Sequence, residues 1–198
     1  LLTPGGTFGE PVHVLSPLER PSALWDVDEE AARDELSAAV SLLLRLVGES
    51  GDPRERAHVV VAHLAERRAR SGKPSTLADL LGDLANPPVA KLGALPFDEY
   101  FPEKERRALV AELNTLLASP KLATWLRGAP LDPEAWLAPR EDGRSPAVIA
   151  SVAHLDGEER EAVLAVLLDA ILAWARSLPG TSELRALVVL DEAFGFLP

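Results

Sequence analysis

Cysteine is absent from the 198 residues, and so is methionine. The first absence excludes disulfides and thiolate metal sites, and leaves the redox compartment unreadable from pairing. The second makes a chain that opens Leu1-Leu2-Thr3-Pro4 an expected piece of a longer translation product. Aromatic residues make up only 5%. The histidines number four, and His58 and His63 stand five apart, a spacing that does not place both on one helix face. HExxH and GxSxG are both missing, so zinc-protease and serine-hydrolase chemistry have no signature here. No apolar run approaches the ~20 residues that cross a bilayer, and charges such as Arg45 and Asp169 interrupt the longest. The opening residues also lack the pattern of a secretory leader. A cytoplasmic location without a membrane partner is therefore the expectation. Basic residues are in deficit, 20 against 31 acidic, for a formal charge of −11. That balance opposes tight non-specific binding to phosphate backbones, so any nucleic-acid contact must be local.

What is present is apolar side chains, 47% of the total, enough for one sizeable core or a core plus an appended subdomain. From Leu1 to Arg20 a turn-rich Thr3-Pro4-Gly5-Gly6-Thr7 precedes a short apolar run, Val12 to Leu15, which reads as a strand opened by Pro11. Asp26 or Asp28 caps a helix beginning near Glu29, in which Leu36, Val40, Leu43, Leu44 and Val47 recur at helical spacing until Gly48 or Gly51. A second helix follows Asp52-Pro53 with a stripe of Ala57, Val60, Val61 and Leu64, and ends in Arg67, Arg68, Arg70 and Lys73. This cluster invites phosphates, but cations at a helix carboxyl end are expected anyway. Ser75 or Thr76 caps Leu77 to Leu84, and Pro87 to Pro96 reads as loop. Pro102 opens a longer helix with Leu109, Val110, Leu113, Leu116 and Leu117 on one side. Short helical segments around Trp125 and Trp136 follow. These tryptophans read as core plugs, since no basic residues interleave with them.

Residues 28–138 thus read as an all-helical insertion subdomain. Pro139 to Pro146 is a polar linker into different architecture. Ala147 to Val152 reads as a second strand, Asp156 as a cap for a helix from Glu158 to Leu178, and the Leu187 run as a third strand. Along that helix Val163, Leu167, Ala170, Ile171 and Trp174 form a stripe widened by Leu164, Leu168 and Leu172, as a helix lying on a sheet requires. A βαβ crossover is right-handed, so its strands are expected to be parallel. The fold class is therefore α/β by architecture but mostly helical by residue count, with about three strands from 1–27 and 139–198 forming part of a layered core around the insertion.

The chemistry concentrates at Ala186-Leu187-Val188-Val189-Leu190-Asp191-Glu192. An apolar run without alternation reads as a strand buried on both faces, and ligands of parallel sheets bind at strand carboxyl ends. Two carboxylates there form the hhhhDE pattern of a Walker B segment. The first carboxylate of such a pair holds the Mg²⁺ shell and the second orients or deprotonates the attacking water. The bland counterpart is an ordinary strand exit. His154, just past the second strand, is a possible ligand-edge residue, although a structural hydrogen-bonding role is commoner for such a histidine. No GxxxxGK[ST] loop occurs, and Gly5-Gly6 has neither its spacing nor a nearby lysine.

Several segments carry a resemblance: Leu1-Leu2-Thr3-Pro4-Gly5, Pro87 to Gly93, Leu113 to Pro120, Ala153-His154-Leu155-Asp156-Gly157-Glu158-Glu159-Arg160, Leu178 to Ser182, and Asp191-Glu192-Ala193-Phe194-Gly195-Phe196-Leu197-Pro198. Together they resemble bacterial ATP-binding proteins related to the HerA/FtsK-type P-loop ATPases, over nearly the whole chain and most specifically in the last three. The resemblance implies a RecA-like ATPase core interrupted by a helical insertion, often hexameric, with DNA translocation or helicase activity and with ATP and Mg²⁺ as cofactors. It matches Asp191 to the Mg²⁺-associated aspartate and Glu192 to the catalytic glutamate. The phosphate-binding loop is expected upstream of Leu1 and the sensor-bearing strand beyond Pro198, so these residues alone are expected to be inactive. The alternative class is a protein-interaction or oligomerisation module in an ATP-dependent partner switch that does not act on DNA.

Overall fold

Helix α2, Glu29–Arg45, is the element around which the others pack. Asp28 starts it by accepting the Ala31 N–H at 3.1 Å, with Glu29 and Glu30 in the first turn where the dipole favours them. Gly48, at φ +84°, lies just past its end. Ala31, Ala32 and Ala39 are buried alongside Leu36, Val40, Leu42, Leu43 and Leu44, so α2 is covered on more than one side. Small side chains there let neighbouring helices approach closely. The computed structural model describes residues 1–20, 23–72, 75–120, 122–139 and 143–191.

One flank of α2 packs against helix α9, Gly157–Ser177, and another against α3, Arg56–Ala69. Helix α4, Leu77–Ala85, connects α3 to α6, Glu103–Ala118. Thr76 and Asp79 close a capping box at the start of α4: the Asp79 N–H donates to Thr76 Oγ1 at 3.2 Å and the Thr76 N–H to Asp79 Oδ2 at 2.8 Å. The Thr76 N–H and, after it, the Thr76 hydroxyl, which donates to the same oxygen at 2.8 Å, hold the Asp79 carboxyl below the usual aspartate range. Shorter helices α1 (Ser16–Glu19), α5 (Phe97–Tyr100), α7 (Leu122–Trp125) and α8 (Pro133–Leu137) and a 3₁₀ turn at Ala23–Asp26 fill the connections. A small hairpin of β2, Lys91–Leu92, and β3, Leu95–Pro96, occupies part of the stretch read as loop. Its turn is made by Gly93, at φ +58°, with Ala94.

The expected sheet is the main departure. Strand β1, Val12–His13, pairs in parallel with β4, Ala129–Pro130, in the stretch read as all-helical insertion. Ala147 to Val152 is reduced to a single bridge in which Leu2, rather than Val12, is the partner of Ala150. Leu187 to Leu190 has no strand assignment among the described residues. A mixed, mostly helical α/β chain is thus found, with a small two-stranded parallel sheet in place of about three strands. Proline explains part of the shortening. Pro11, Pro130 and Pro146 lack the N–H that would extend each ladder by one hydrogen bond.

The long helix expected from Glu158 to Leu178 is present within one residue at each end, capped by Asp156, which accepts the Glu159 N–H at 2.9 Å. Its buried face differs from the sheet-covering stripe. Ala162, Val163, Val166, Leu167, Ala170 and Ala173 turn inward, α2 is the main element packed against the helix, and Leu168 and Leu172 stay exposed. The hydrophobic core is continuous from Leu2 through α2, α3, α4 and α6 to Ala170, across the expected boundaries at 28 and 138.

Candidate functional site

The residues following α9 bear directly on the acidic pair. The Glu183 N–H donates to Thr181 Oγ1 at 3.1 Å, and from there to Asp191 the chain carries no helix or strand. Leu187 is 75% exposed and Val189 76%, with Val188 and Leu190 also in solvent. Burying such side chains is worth about 1.5–3 kcal/mol each, so a run of four left in water is a costly arrangement. Asp191 is exposed at the end of this run. Glu192 lies outside the described residues.

His154 belongs to a different structure. Its Nε2–H donates to the Pro4 carbonyl at 2.9 Å, and its ring meets Phe8 edge-on, with centroids 5.9 Å apart at 77°. A Cβ on Gly6 would come within 3.1 Å of that nitrogen. The loop from Leu1 to Glu10 is closed at its base, where the Glu10 N–H donates to Leu1 O and the Thr3 N–H to Glu10 O, both at 2.9 Å. Inside it the Gly6 N–H is spent on Thr3 O at 3.0 Å. Trp125 packs against Gly5 from the other side. The glycine-rich turn is thus a packed loop fastened by His154 and Trp125, with no open cradle of amides for a phosphate.

Two arginines of the cluster at the end of α3 are engaged in ion pairs. Arg68 Nε lies 2.6 Å from Asp83, and Arg70 reaches Glu66 at 2.8 Å and Glu29 at 2.9 Å while stacking 4.9 Å from the Trp25 ring centroid. The hydrogen bonds it donates to Glu29 and Glu66 raise the Arg70 pKa further above its ordinary high value. Arg33 joins the same network through Glu29 and Glu66. Lys73 lies outside the described residues. Two of the four cations that sequence reading offered to phosphates, Arg68 and Arg70, hold α2, α3 and α4 together, and Trp25 is the partner that reading passed over.

Two histidines are buried. His58 Nε2 lies 3.2 Å from Ser37 O, to which its N–H donates, and 3.1 Å from Ser41 Oγ, joining α3 to α2. Burial depresses its pKa, opposed by the hydrogen bond to Ser37 and by Asp52. His13 sits on β1 with Nε2 3.4 Å from Glu19, whose other carboxylate oxygen accepts the Leu77 N–H at the start of α4. Burial depresses His13 too, with Glu19 acting in the opposite sense. His63 is exposed while His58 is buried, and no cluster of three metal-ligating side chains forms among the described residues. Trp125 is buried as expected of a core plug, and Trp136 is partly buried against the same core.

The described side chains do not make a Mg²⁺-ATP site by themselves: one exposed carboxylate, Asp191, stands without a phosphate cradle beside it. The apolar cavity between α2, α3, α4, α6 and α7 is about 20 Å³, too small for a nucleotide. None of the helices among the described residues is long and apolar enough to cross a membrane. No protein-family model matches the chain, and no curated protein or solved structure matches it either.

Proposed function

We propose that these residues form part of an ATP-hydrolysing motor that moves along or remodels DNA, with a RecA-like core whose Walker B strand is Leu187 to Leu190. The observation that carries this reading is the exposed apolar run leading directly into Asp191 and Glu192. Such a run has the composition of a strand covered on both faces, and the same chain holds matching uncovered surface. Val148 and Ile149 are exposed beside the Leu2 bridge, and Leu168 and Leu172 are exposed on α9. In the assembled motor the run lies parallel to Ala147–Val152, with α9 as the crossover helix, and the carboxylates stand at the sheet's carboxyl edge. Asp191 then serves the Mg²⁺ shell and Glu192 orients the attacking water. Homo-oligomerisation into a ring, a hexamer by the resemblance, belongs to the same proposal.

The paired state of Arg68 and Arg70 and the −11 charge favour a second reading, in which the nucleotide cycle switches a protein partner and DNA plays no part. Mg²⁺-ATP hydrolysis by the full-length protein, with and without DNA and with Glu192→Gln alongside, separates the two. DNA-stimulated turnover abolished by the substitution supports the motor. Turnover indifferent to DNA supports the switch, and no nucleotide binding at all refutes the Walker B assignment.

A further inference from the structure

At the end of α3 opposite the arginine cluster, α3 and α6 open a groove of about 400 Å³. Its floor is Phe101 and Leu109, both buried, with Ala57 and Ala108 beside them. Its walls carry Glu49, Glu55, Glu105 and Glu112 against a single cation, Arg56. Arg56 is already committed: Nη2 lies 3.0 Å from Glu105 and Nη1 donates to Tyr100 O at 3.5 Å. Among the described residues no lysine or arginine is paired with Glu49, Glu55 or Glu112. The start of α3 contributes about half a positive charge to the same space, which leaves the groove negative. Glu105, Ala108, Leu109 and Glu112 follow one another at helical spacing, so α6 presents carboxylates and apolar surface on one face.

A concavity with an apolar floor and uncompensated carboxylates at its walls is complementary to a side chain with an aliphatic stem and a cationic head. An anionic occupant meets four carboxylates against the one arginine, a net repulsion that disfavours a nucleic-acid backbone. We propose that this groove docks a lysine- or arginine-bearing peptide segment of a partner protein, its stems over Phe101 and Leu109 and its charges among Glu49, Glu55, Glu105 and Glu112. The volume suits a few side chains of such a segment. The surface is independent of the Walker B assignment and stands whether or not the motor reading does.

The test is fluorescence anisotropy with a labelled synthetic peptide, an alanine- and leucine-based helix bearing lysines at every third or fourth position, titrated at low and physiological salt. Glu105→Lys with Glu112→Lys is expected to weaken binding about ten-fold or more, as loss of close charge pairs does. Glu30→Lys with Glu161→Lys, the same charge change on the exposed surfaces of α2 and α9, is expected to weaken it less than about two-fold, since screening limits remote charges. Equal losses in the two variants reduce the effect to net charge and overturn the proposal, as does the absence of saturable binding. Displacement of the peptide by spermidine as effectively as by an unlabelled lysine peptide also overturns it, in favour of a polyamine site. If the charge-reversed pair loses its circular dichroism signal, Glu49→Gln with Glu112→Gln decides, and unchanged affinity there rejects the groove.

Discussion

The contact between Gly5 and Trp125 makes a quantitative prediction, because it contains two separable effects. Trp125 is buried to 1% exposure, and truncating such a side chain to alanine costs about 3–5 kcal/mol. Gly5 sits at φ +64°, where any Cβ is strained by roughly 1–2 kcal/mol. A Cβ there would also stand 2.8 Å from Trp125 Cζ2 and 2.9 Å from Cε2, an overlap worth about 1–3 kcal/mol because the buried ring cannot swing away. Gly5→Ala alone therefore carries both terms, whereas in the Trp125→Ala background only the backbone strain remains. The double variant is predicted to be more stable than the sum of the single losses implies, by about 1–3 kcal/mol. Urea unfolding followed by far-ultraviolet circular dichroism reads this without depending on tryptophan emission. If the single effects sum to the double within about 0.5 kcal/mol, the steric contact is not the reason position 5 is glycine.

Further outcomes follow from other contacts. The folded-state pKa values of His58 and His13 lie below the ordinary 6.5, so the neutral forms are favoured in the native state. Their stabilisation is complete above that value and is lost as pH falls through it towards the depressed pKa. The urea midpoint should decline on acidification below about pH 6.5, and His58→Gln should flatten that decline; an unchanged slope would count against burial as the cause. Thr76→Ala removes one half of the α4 capping box and should cost about 1 kcal/mol, read as faster amide exchange confined to α4 and its neighbours. Val189→Asp is expected to leave the unfolding midpoint of these 198 residues unchanged, since the side chain is exposed, yet to abolish ATP turnover in the full-length protein. Retention of turnover there would rule out a buried strand at this position.

Local signals were legible and non-local ones were not. Asp28, Thr76 and Asp156 each accept a backbone N–H within their own first turn, so the starts of α2, α4 and α9 were readable from residue type and spacing. Pro53 misled by three residues: it lies in a turn, and α3 begins at Arg56. The β2–β3 hairpin was missed because its two-residue strands contain too few positions to show alternation. Strand pairing depends on which distant segment arrives alongside, and nothing in Val12 to Leu15 announces Ala129 and Pro130 as its neighbours. Gly128 gives the clue in retrospect, at φ +97° with Pro11 O where a Cβ would stand 1.8 Å away, so only glycine lets the two backbones meet.

The acidic pair illustrates the same division at the candidate site. Sequence reading located Asp191 and Glu192 by a local pattern, whereas the meaning of that pattern depends on a sheet that brings distant strands together. Helix α9 makes the issue concrete, because it is apolar around more of its circumference than one partner can cover. Val163, Val166, Leu167 and Ala170 turn into the helical core, where α2 is its main partner, while Leu168 and Leu172 are left outside. A surface helix with a single partner ordinarily shows one apolar stripe and a polar remainder. A second exposed stripe on α9, Val148 and Ile149 in solvent, and an unpaired Leu187–Leu190 are three uncovered apolar surfaces whose exposure each carries a hydration cost. One arrangement removes all three together, the strand pairing in which α9 serves as the crossover. In that arrangement Asp191 leaves its exposed position, and the acidic pair would stand at a sheet edge where carboxylates have chemistry to perform.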